Sequence, residues 1–267
     1  MPTVSIVIPA YNERSTIRAC LLAALDQTVA AHEIIVVDNR STDDTGAIVR
    51  EVQREFPEAP LRYLRQDAVQ GLIPTRNFGL DNATGDVLGR IDADSVLQHG
   101  WVAEVQKAFV DLTVSASTGP VSYYDMPLRE FGLKADDTVR RVMLKLARNY
   151  SFVFGSNMAL RASAWQMIRG EVCLDKDDEL HEDIDISVHL HQRSLKVQYV
   201  PTMVAGMSAR RIDDSPRDYL YYVTRFERTY KRHGVRNPGV RVPMYLFLAL
   251  YPALKFLRVT RVRRAVS

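Results

Sequence analysis

The chain has 267 residues, 46% hydrophobic and 25% charged, with 35 Lys and Arg against 32 Asp and Glu. That is a globular composition with room for one large core or two small ones. A net charge of +3 is too small to imply a nucleic-acid partner, and two cysteines are too few for a disulfide framework.

No run of roughly 18 apolar residues occurs, so no membrane-spanning helix is expected. Met1-Pro2-Thr3 leads straight into an apolar run, which reads as a chain without a signal peptide. Cys20 and Cys173 lie far apart in no metal-ligand spacing, so a reducing, cytoplasmic setting is expected.

Residues 4–8 are a β-branched run that stops at Pro9 and predicts a buried strand. Pro9 to Glu13 reads as a turn with Asn12 as a helix N-cap. Ile17, Leu21, Ala24 and Leu25 recur at helical spacing, which predicts a helix to about Gln27. Residues 33–37 predict a second strand ending on Asp38, and Ser41-Thr42-Asp43-Asp44 loosely matches a capping box for a helix towards Phe56. A third strand is expected at 61–64. Gly71 marks a loop, Pro74 suits the first turn of a helix ending near Gly85, and 87–91 predicts a fourth strand. Beyond it come a helix at 101–111, a strand at 114–118 and a less regular part, 119–149, with a helical stretch near 139–146. An acidic stretch, 174–185, leads into a helix to Gln192, then a strand at 196–200 and an amphipathic helix at 217–233. His189 and His191, on the first of these helices, read as packed or exposed residues without a ligand partner.

Alternating strands and helices predict an α/β fold with a mostly parallel central sheet and helices on both faces. One domain over 1–235 is expected, with a nucleotide-binding half at about 1–119 and an acceptor half at about 120–235. An apolar and basic helical tail, 236–267, follows. In open α/β sheets ligands bind beyond the carboxyl ends of the strands. Pro9 to Glu13, Asp38 and the pair Asp92/Asp94 all fall at such ends, so they should share one crevice. Two carboxylates one residue apart suit a hard divalent cation, Mn²⁺ or Mg²⁺, completed by substrate phosphates. A strand-end Asx turn would account for the same residues.

The motifs Val7-Ile8-Pro9-Ala10-Tyr11-Asn12-Glu13, Val36-Val37-Asp38-Asn39-Arg40-Ser41-Thr42-Asp43-Asp44-Thr45, Arg76-Asn77-x-Gly79, Ala83-Thr84-Gly85-Asp86, Asp92-Ala93-Asp94, Gly155-Ser156-Asn157-Met158-Ala159-Leu160-Arg161 and His181-Glu182-Asp183 occur in this order. In that order and spacing the chain resembles the inverting glycosyltransferase family 2, with the Rossmann-like GT-A fold, over about residues 3–212. The resemblance implies a nucleotide pocket lined by Pro9, Ala10, Tyr11 and Glu13, with Arg76 and Ala93 beside it. It implies that Asp38 accepts a hydrogen bond from the base, that Asp92 lies near ribose and metal, and that Asp94 binds the cation. Arg210 or Arg211 would add positive charge at the diphosphate, since guanidinium suits phosphate; solvated surface charge is the other reading of that pair. Asp183 would be the general base towards the acceptor hydroxyl, with Glu182 and Asn157 contacting acceptor or diphosphate. Either carboxylate at 182–183 could instead favour a helix N-terminus.

The implied reaction moves one sugar from a nucleotide-diphosphate sugar, most commonly a UDP-sugar, to a glycan or lipid-linked acceptor of the cell envelope. Residues 119–149 and 175–182 are expected to shape acceptor choice. The chain departs from the family at Arg90, which stands where an apolar strand residue is usual and puts that strand's burial in doubt. It also lacks the Gln-x-x-Arg-Trp motif and membrane helices of processive synthases, which favours a single transfer per encounter.

Two other classes compete. Asp92-Ala93-Asp94-Ser95-Val96 matches the pattern of haloacid-dehalogenase phosphatases, with Asp92 as nucleophile, but three strands precede it. A non-catalytic scaffold at a membrane surface is the other. No Gly-x-Gly-x-x-Gly follows the first strand, which argues against a dinucleotide oxidoreductase. In the tail, an apolar segment between Pro243 and Pro252 precedes Lys255, Arg258, Arg261, Arg263 and Arg264. That pattern suits a helix lying in an anionic, cytoplasmic membrane surface over about 243–264. A helix covering the domain itself, or a dimer contact, is the alternative.

Overall fold

The computed structural model describes residues 1–147, 152–175, 179–236 and 241–266. Residues 148–149 and 176–178, within the two segments expected to shape acceptor choice, lie outside that set. So do the side chains of Pro243, Arg261, Arg263 and Arg264.

Strand β1 (Val4–Ala10) and helix α1 (Ile17–Leu25) are followed by β2 (Glu33–Asp38), α2 (Thr45–Glu55), β3 (Leu61–Arg65), α3 (Leu72–Asp81) and β4 (Val87–Arg90). A two-residue strand, β5 (Val96–Leu97), precedes α4 (Trp101–Ala108), β6 (Val114–Thr118), β7 (Val121–Tyr123) and the long α5 (Arg129–Ala147). Then come β8 (Met158–Arg161), α6 (Ala162–Ile168), α7 (Glu182–Gln192), β9 (Lys196–Tyr199) and β10 (Ala205–Met207). A 3-10 turn (Arg210–Asp213), α8 (Pro216–Arg232) and α9 (Val242–Val266) follow.

The central sheet has seven strands in the order β3-β2-β1-β4-β8-β6-β9, and β5-β10-β7 form a small second sheet. In the central sheet every neighbouring pair is parallel except those made by β8, which runs antiparallel to both β4 and β6. The mostly parallel α/β fold is therefore borne out. The sheet also runs through both expected halves, since β6, β8 and β9 continue it.

Alternation along β1 divides the core. Val4, Ile6, Ile8 and Ala10 face a layer built from α1, α2 and α4, while Val7 faces α3, α6 and α7. Gly89 lets the Trp101 ring of α4 lie against β4; a Cβ there would come within 2.5 Å of it. A further cluster joins Ala147 of α5, Ile184 and Val188 of α7, and Tyr230 of α8. The tail docks on α8 through Tyr219, Val223, Met244 and Tyr251.

Several local expectations change. Strand β1 does not stop at Pro9 but runs to Ala10, with Pro9 opposite Val37 of β2. Val7 points its carbonyl towards β4, accepting from Ile91 N–H at 3.2 Å, and Pro9 faces that same side after β4 has ended. The missing N–H therefore leaves no ladder position empty. Asn12 is not a helix cap: it adopts φ 54° and its side chain accepts from Thr42 N–H at 2.8 Å, so α1 begins later. The oxygen that holds the start of α2 belongs to Asp43, which accepts from Thr45 N–H at 2.9 Å, whereas Ser41 Oγ accepts from Asn12 N–H. The less regular region contains β7 and a nineteen-residue α5. The tail, by contrast, is helical as expected, one helix that runs through Pro252.

Candidate active site

Strands β1, β2 and β4 are parallel neighbours, so Glu13, Asp38 and Asp92/Asp94 emerge at one edge, as expected. Beyond Arg90 the chain turns at once. Ser95 N–H donates to Asp92 C=O at 2.9 Å, and Asp92 N–H donates to Ser95 Oγ at 3.2 Å. The carboxylate pair thus sits in a tight turn closed by the Ser95 hydroxyl. The turn holds Asp94 nearly buried and Asp92 half-buried. Tyr124 O–H fixes it from outside, donating to Asp94 C=O at 2.9 Å.

Arg210 reaches into the same place from the turn after β10. Its two terminal nitrogens grip Glu13 at 2.6 and 2.9 Å, and its Nε lies 3.0 Å from Asp94 Oδ2. Burial and the neighbouring Asp92 push the Asp94 carboxyl up to about 6, against the pull of Arg210. Crowded, oxygen-only donors of this kind fit a hard divalent ion, which would relieve their mutual repulsion. Arg211 is directed elsewhere, towards Asp214 at 3.2 Å and over the Tyr222 ring at 4.5 Å.

A second chain of charges runs from this point to Asp183. Arg76, buried on α3, bonds Asp92 Oδ1 at 2.5 Å through one nitrogen and Glu182 through another. Glu182 also receives Arg90 Nη1 at 2.5 Å, and Arg90 Nε donates to Gly155 C=O at 3.1 Å. Gly155 N–H in turn donates to Asp183 Oδ2 at 2.8 Å, and Ile184 N–H donates to Oδ1 at 2.9 Å. Burial opposes ionisation of Glu182, but Arg76 and Arg90 overcome it and hold the carboxyl down at about 2. For Arg90, burial and the like charge of Arg76 lower the guanidinium's hold on its proton.

This corrects the doubt about Arg90. Strand β4 is fully buried there, and Arg90 is among the largest fully buried side chains. Its charge is answered by Glu182, 92 residues away in the chain. Sequence reasoning therefore missed Arg90 as part of the site, and no local pattern could have paired it.

Other expected residues are placed differently. Asn157 is not free to contact acceptor or diphosphate. It is completely buried, donates to Pro120 C=O at 2.9 Å and Met203 C=O at 2.7 Å, and accepts from Trp101 Nε1–H at 2.8 Å. The side chains of Ala10 and Ala93 belong to the core, so only their backbones face the edge. Tyr11 stands half-exposed beside Glu13. Pro9 lies one residue before the end of β1, at the crevice. Asp38 is buried with both oxygens engaged, by Ser41 N–H at 2.9 Å and Tyr63 O–H at 2.5 Å. Burial and that bond to Asp38 push the Tyr63 phenol up to about 12.

Comparison with known proteins bears on the family and the fold. The family model described as Glycosyl transferase family 2 matches residues 5–168. The chain is 35% identical over 238 residues to an uncharacterized glycosyltransferase, YibD, of Escherichia coli (strain K12), a match covering 87% of this chain and 65% of that one. It is 32% identical over 109 residues to a GalNAc(5)-diNAcBac-PP-undecaprenol beta-1,3-glucosyltransferase of Campylobacter jejuni, covering 40% of this chain and 35% of the relative. The matched stretch spans about a third of the length of several curated relatives. In fold, the chain is similar to the mannosyltransferase PcManGT from Pyrobaculum calidifontis, solved with GDP-Man and Mn²⁺. The TM-score is 0.67 at 21% identity, over 99% of this chain and 75% of that one.

Proposed function

The chain belongs to glycosyl transferase family 2, and we propose that it is a metal-dependent, inverting glycosyltransferase that moves one sugar from a nucleotide-diphosphate sugar to a hydroxyl acceptor. One observation carries the reading. A continuous set of charged groups, Glu13-Arg210-Asp94 and Asp92-Arg76-Glu182-Arg90, joins the strand ends to the residue beside Asp183.

Asp94 and Asp92 would hold Mn²⁺ or Mg²⁺, which stabilises the charge that develops on a diphosphate leaving group. Glu13 and the backbone of Pro9 to Tyr11 bound the nucleotide side. Arg210 stands where a diphosphate would lie, and its guanidinium is available to phosphate oxygens once they compete with the carboxylates. Asp183 keeps one backbone hydrogen bond on each oxygen, which orients it while leaving lone pairs to take the acceptor's proton. Arg76 and Glu182 fix the start of α7 and hence that carboxylate. The family assignment displaces the phosphatase reading, and Asp92 is in any case held by Arg76 rather than left free as a nucleophile.

For the donor, a uridine nucleotide is the first choice. For the acceptor, the undecaprenol-linked substrate in the Campylobacter relative's name supports a lipid-linked glycan. Helix α9 supports it too. The outward residues Tyr245, Ala249, Phe256 and Val259 are all apolar and exposed. Lys255 and Arg258, expected to meet lipid headgroups, are instead turned inward. Lys255 Nζ donates to Asp214 C=O at 2.6 Å, and Arg258 pairs with Asp213 at 2.6 Å and Asp125 at 2.8 Å. The helix thus docks on the domain by one side and leaves an apolar side exposed, which supports a membrane surface as its partner. Among the described residues no helix is long and apolar enough to cross a membrane.

The test is thermal stability with UDP, GDP and dTDP, with and without Mn²⁺, on the parent and Asp94→Ala. Ligand at 100 times its dissociation constant stabilises by about 2.7 kcal/mol, a rise of about 5 °C for a chain of this length. A Mn²⁺-dependent rise with one nucleotide, lost in Asp94→Ala, is expected. No response to any nucleotide at saturation would overturn the reading.

A further inference from the structure

Away from the strand ends, on the far side of α7 from Asp183, four side chains with metal-ligating atoms converge. Asp185 and His189 lie one helical turn apart on α7. Cys173 comes from the segment after α6, and His233 follows α8. One carboxylate oxygen of Asp185, the Cys173 sulfur and a ring nitrogen of His233 all lie within 4.8 Å of one another. Asp185 is almost wholly buried; its Oδ1 is 2.6 Å from His233 Nε2 and its Oδ2 accepts from Cys173 N–H at 2.8 Å. Arg232 Nε donates to Cys173 Sγ at 3.3 Å.

The second observation is His189. Its ring is buried, and its Nε2, 3.6 Å from Asp185 Oδ1, has no hydrogen-bond partner. An unpaired polar atom in the interior calls for an explanation. The other ring nitrogen, Nδ1, lies 3.2 Å from Gln192 Oε1 and 3.5 Å from Glu171 Oε2. Both are acceptors, which favours the tautomer with the proton on Nδ1 and a lone pair on Nε2. Metal-ligating histidines are oriented in this way by an acceptor on the second nitrogen. The His189 and His233 rings meet edge to face at 5.1 Å.

We propose that Cys173, Asp185, His189 and His233 form a binding site for a transition-metal ion of the zinc class, separate from the cation at Asp94. One sulfur, two imidazoles and one carboxylate make the mixed soft and borderline set that zinc takes in four-coordinate sites. Donor atoms around such an ion stand about 3.3–3.6 Å apart. The Asp185–His189 spacing already matches, and the 2.6 Å Asp185–His233 contact opens by roughly 1 Å to admit an ion. On binding the thiol proton leaves to solvent, and a proton on His233 Nε2 shifts to its other ring nitrogen, which frees Nε2 for the ion. The ion would pin α7, α8 and the segment at Cys173 together, and α7 is the helix that begins with Glu182 and Asp183.

The experiment uses the full chain without a histidine tag, loaded with Zn²⁺ or Co²⁺. Retention of one Zn²⁺ per chain through gel filtration is expected. With Co²⁺ we expect a thiolate-to-metal band in the near ultraviolet and the intense visible bands of a four-coordinate ion. Cys173→Ser removes the near-ultraviolet band, Gln192→Ala weakens binding by about tenfold, and Asp94→Ala changes neither. If Cys173→Ser does not fold, alkylation of Cys173 in the parent decides: Zn²⁺ slows it and a chelator restores it, while buried Cys20 stays unreactive. Absence of retained metal together with only the weak spectrum of hydrated Co²⁺, or a charge-transfer band that survives Cys173→Ser, overturns the proposal.

Discussion

Glu182 is the residue on which two buried arginines depend. Removing one partner from a buried ion pair strands the other charge, at a cost of about 3–5 kcal/mol. Glu182→Ala should therefore lower the thermal midpoint sharply, while Arg18→Ala, at the exposed pair with Glu55, should leave it unchanged in the same calorimetric scan. The sign with pH follows from the depressed carboxyl. Its contribution is present above its ordinary value of 4.5 and is lost as pH falls towards about 2. Asp94 behaves in the opposite way: raised to about 6, it favours the fold less as pH climbs through the range above 3.8. Cation binding needs the ionised form, so Mn²⁺-dependent UDP affinity, measured by calorimetry between pH 5 and 7.5, should fall by up to about tenfold per unit below pH 6. A flat profile would remove Asp94 as the ligand. At this scale legibility follows sequence distance. The Asp92/Asp94 pair and Glu13 could be read because each sits in a short motif at a strand end. Arg90 could not, since its partner comes from another helix, and His189 looked inert because its neighbours come from three separate segments.

Among the elements, strands β1 to β4 and helices α7 and α8 were legible because one periodicity covers each. Proline was the misleading signal at β1: it suggested that the strand ends at Pro9, though it continues to Ala10, whereas the expected helical tail does run on through Pro252, which lies on its exposed side. Strand β8 went unread because four residues, Met158–Arg161, carry too little pattern to show that they run against their neighbours. Helix α9 also bears the membrane reading. Tyr245→Glu with Phe256→Glu should abolish sedimentation with anionic vesicles and leave the midpoint close to the parent's, since both side chains point to solvent. Retained sedimentation would return α9 to a purely internal role.

Across the whole molecule, Asn157 is the tie. It joins Trp101 of α4 to the backbone at Pro120 and Met203, so one amide connects the expected nucleotide half with the rest. Asn157→Ala leaves the Trp101 indole N–H and Met203 C=O unpaired, while Pro120 C=O keeps Ala205 N–H at 3.4 Å. At about 1 kcal/mol or more for each unpaired group, it should lower the midpoint by about 4 °C or more in a thermal scan. A change within error would show that water replaces the amide. The overall architecture was legible because strand–helix alternation constrains topology. The tie was not, because a buried asparagine looks the same in sequence as one that greets a ligand. The same scale gives Pro9 its meaning. Strands β1 and β4 are zipped together only as far as Val7 and Ile91, and the next tooth on that side is a residue with no hydrogen to offer. The zip loses a donor at that tooth, so covalent structure itself favours the two strands parting where the crevice begins.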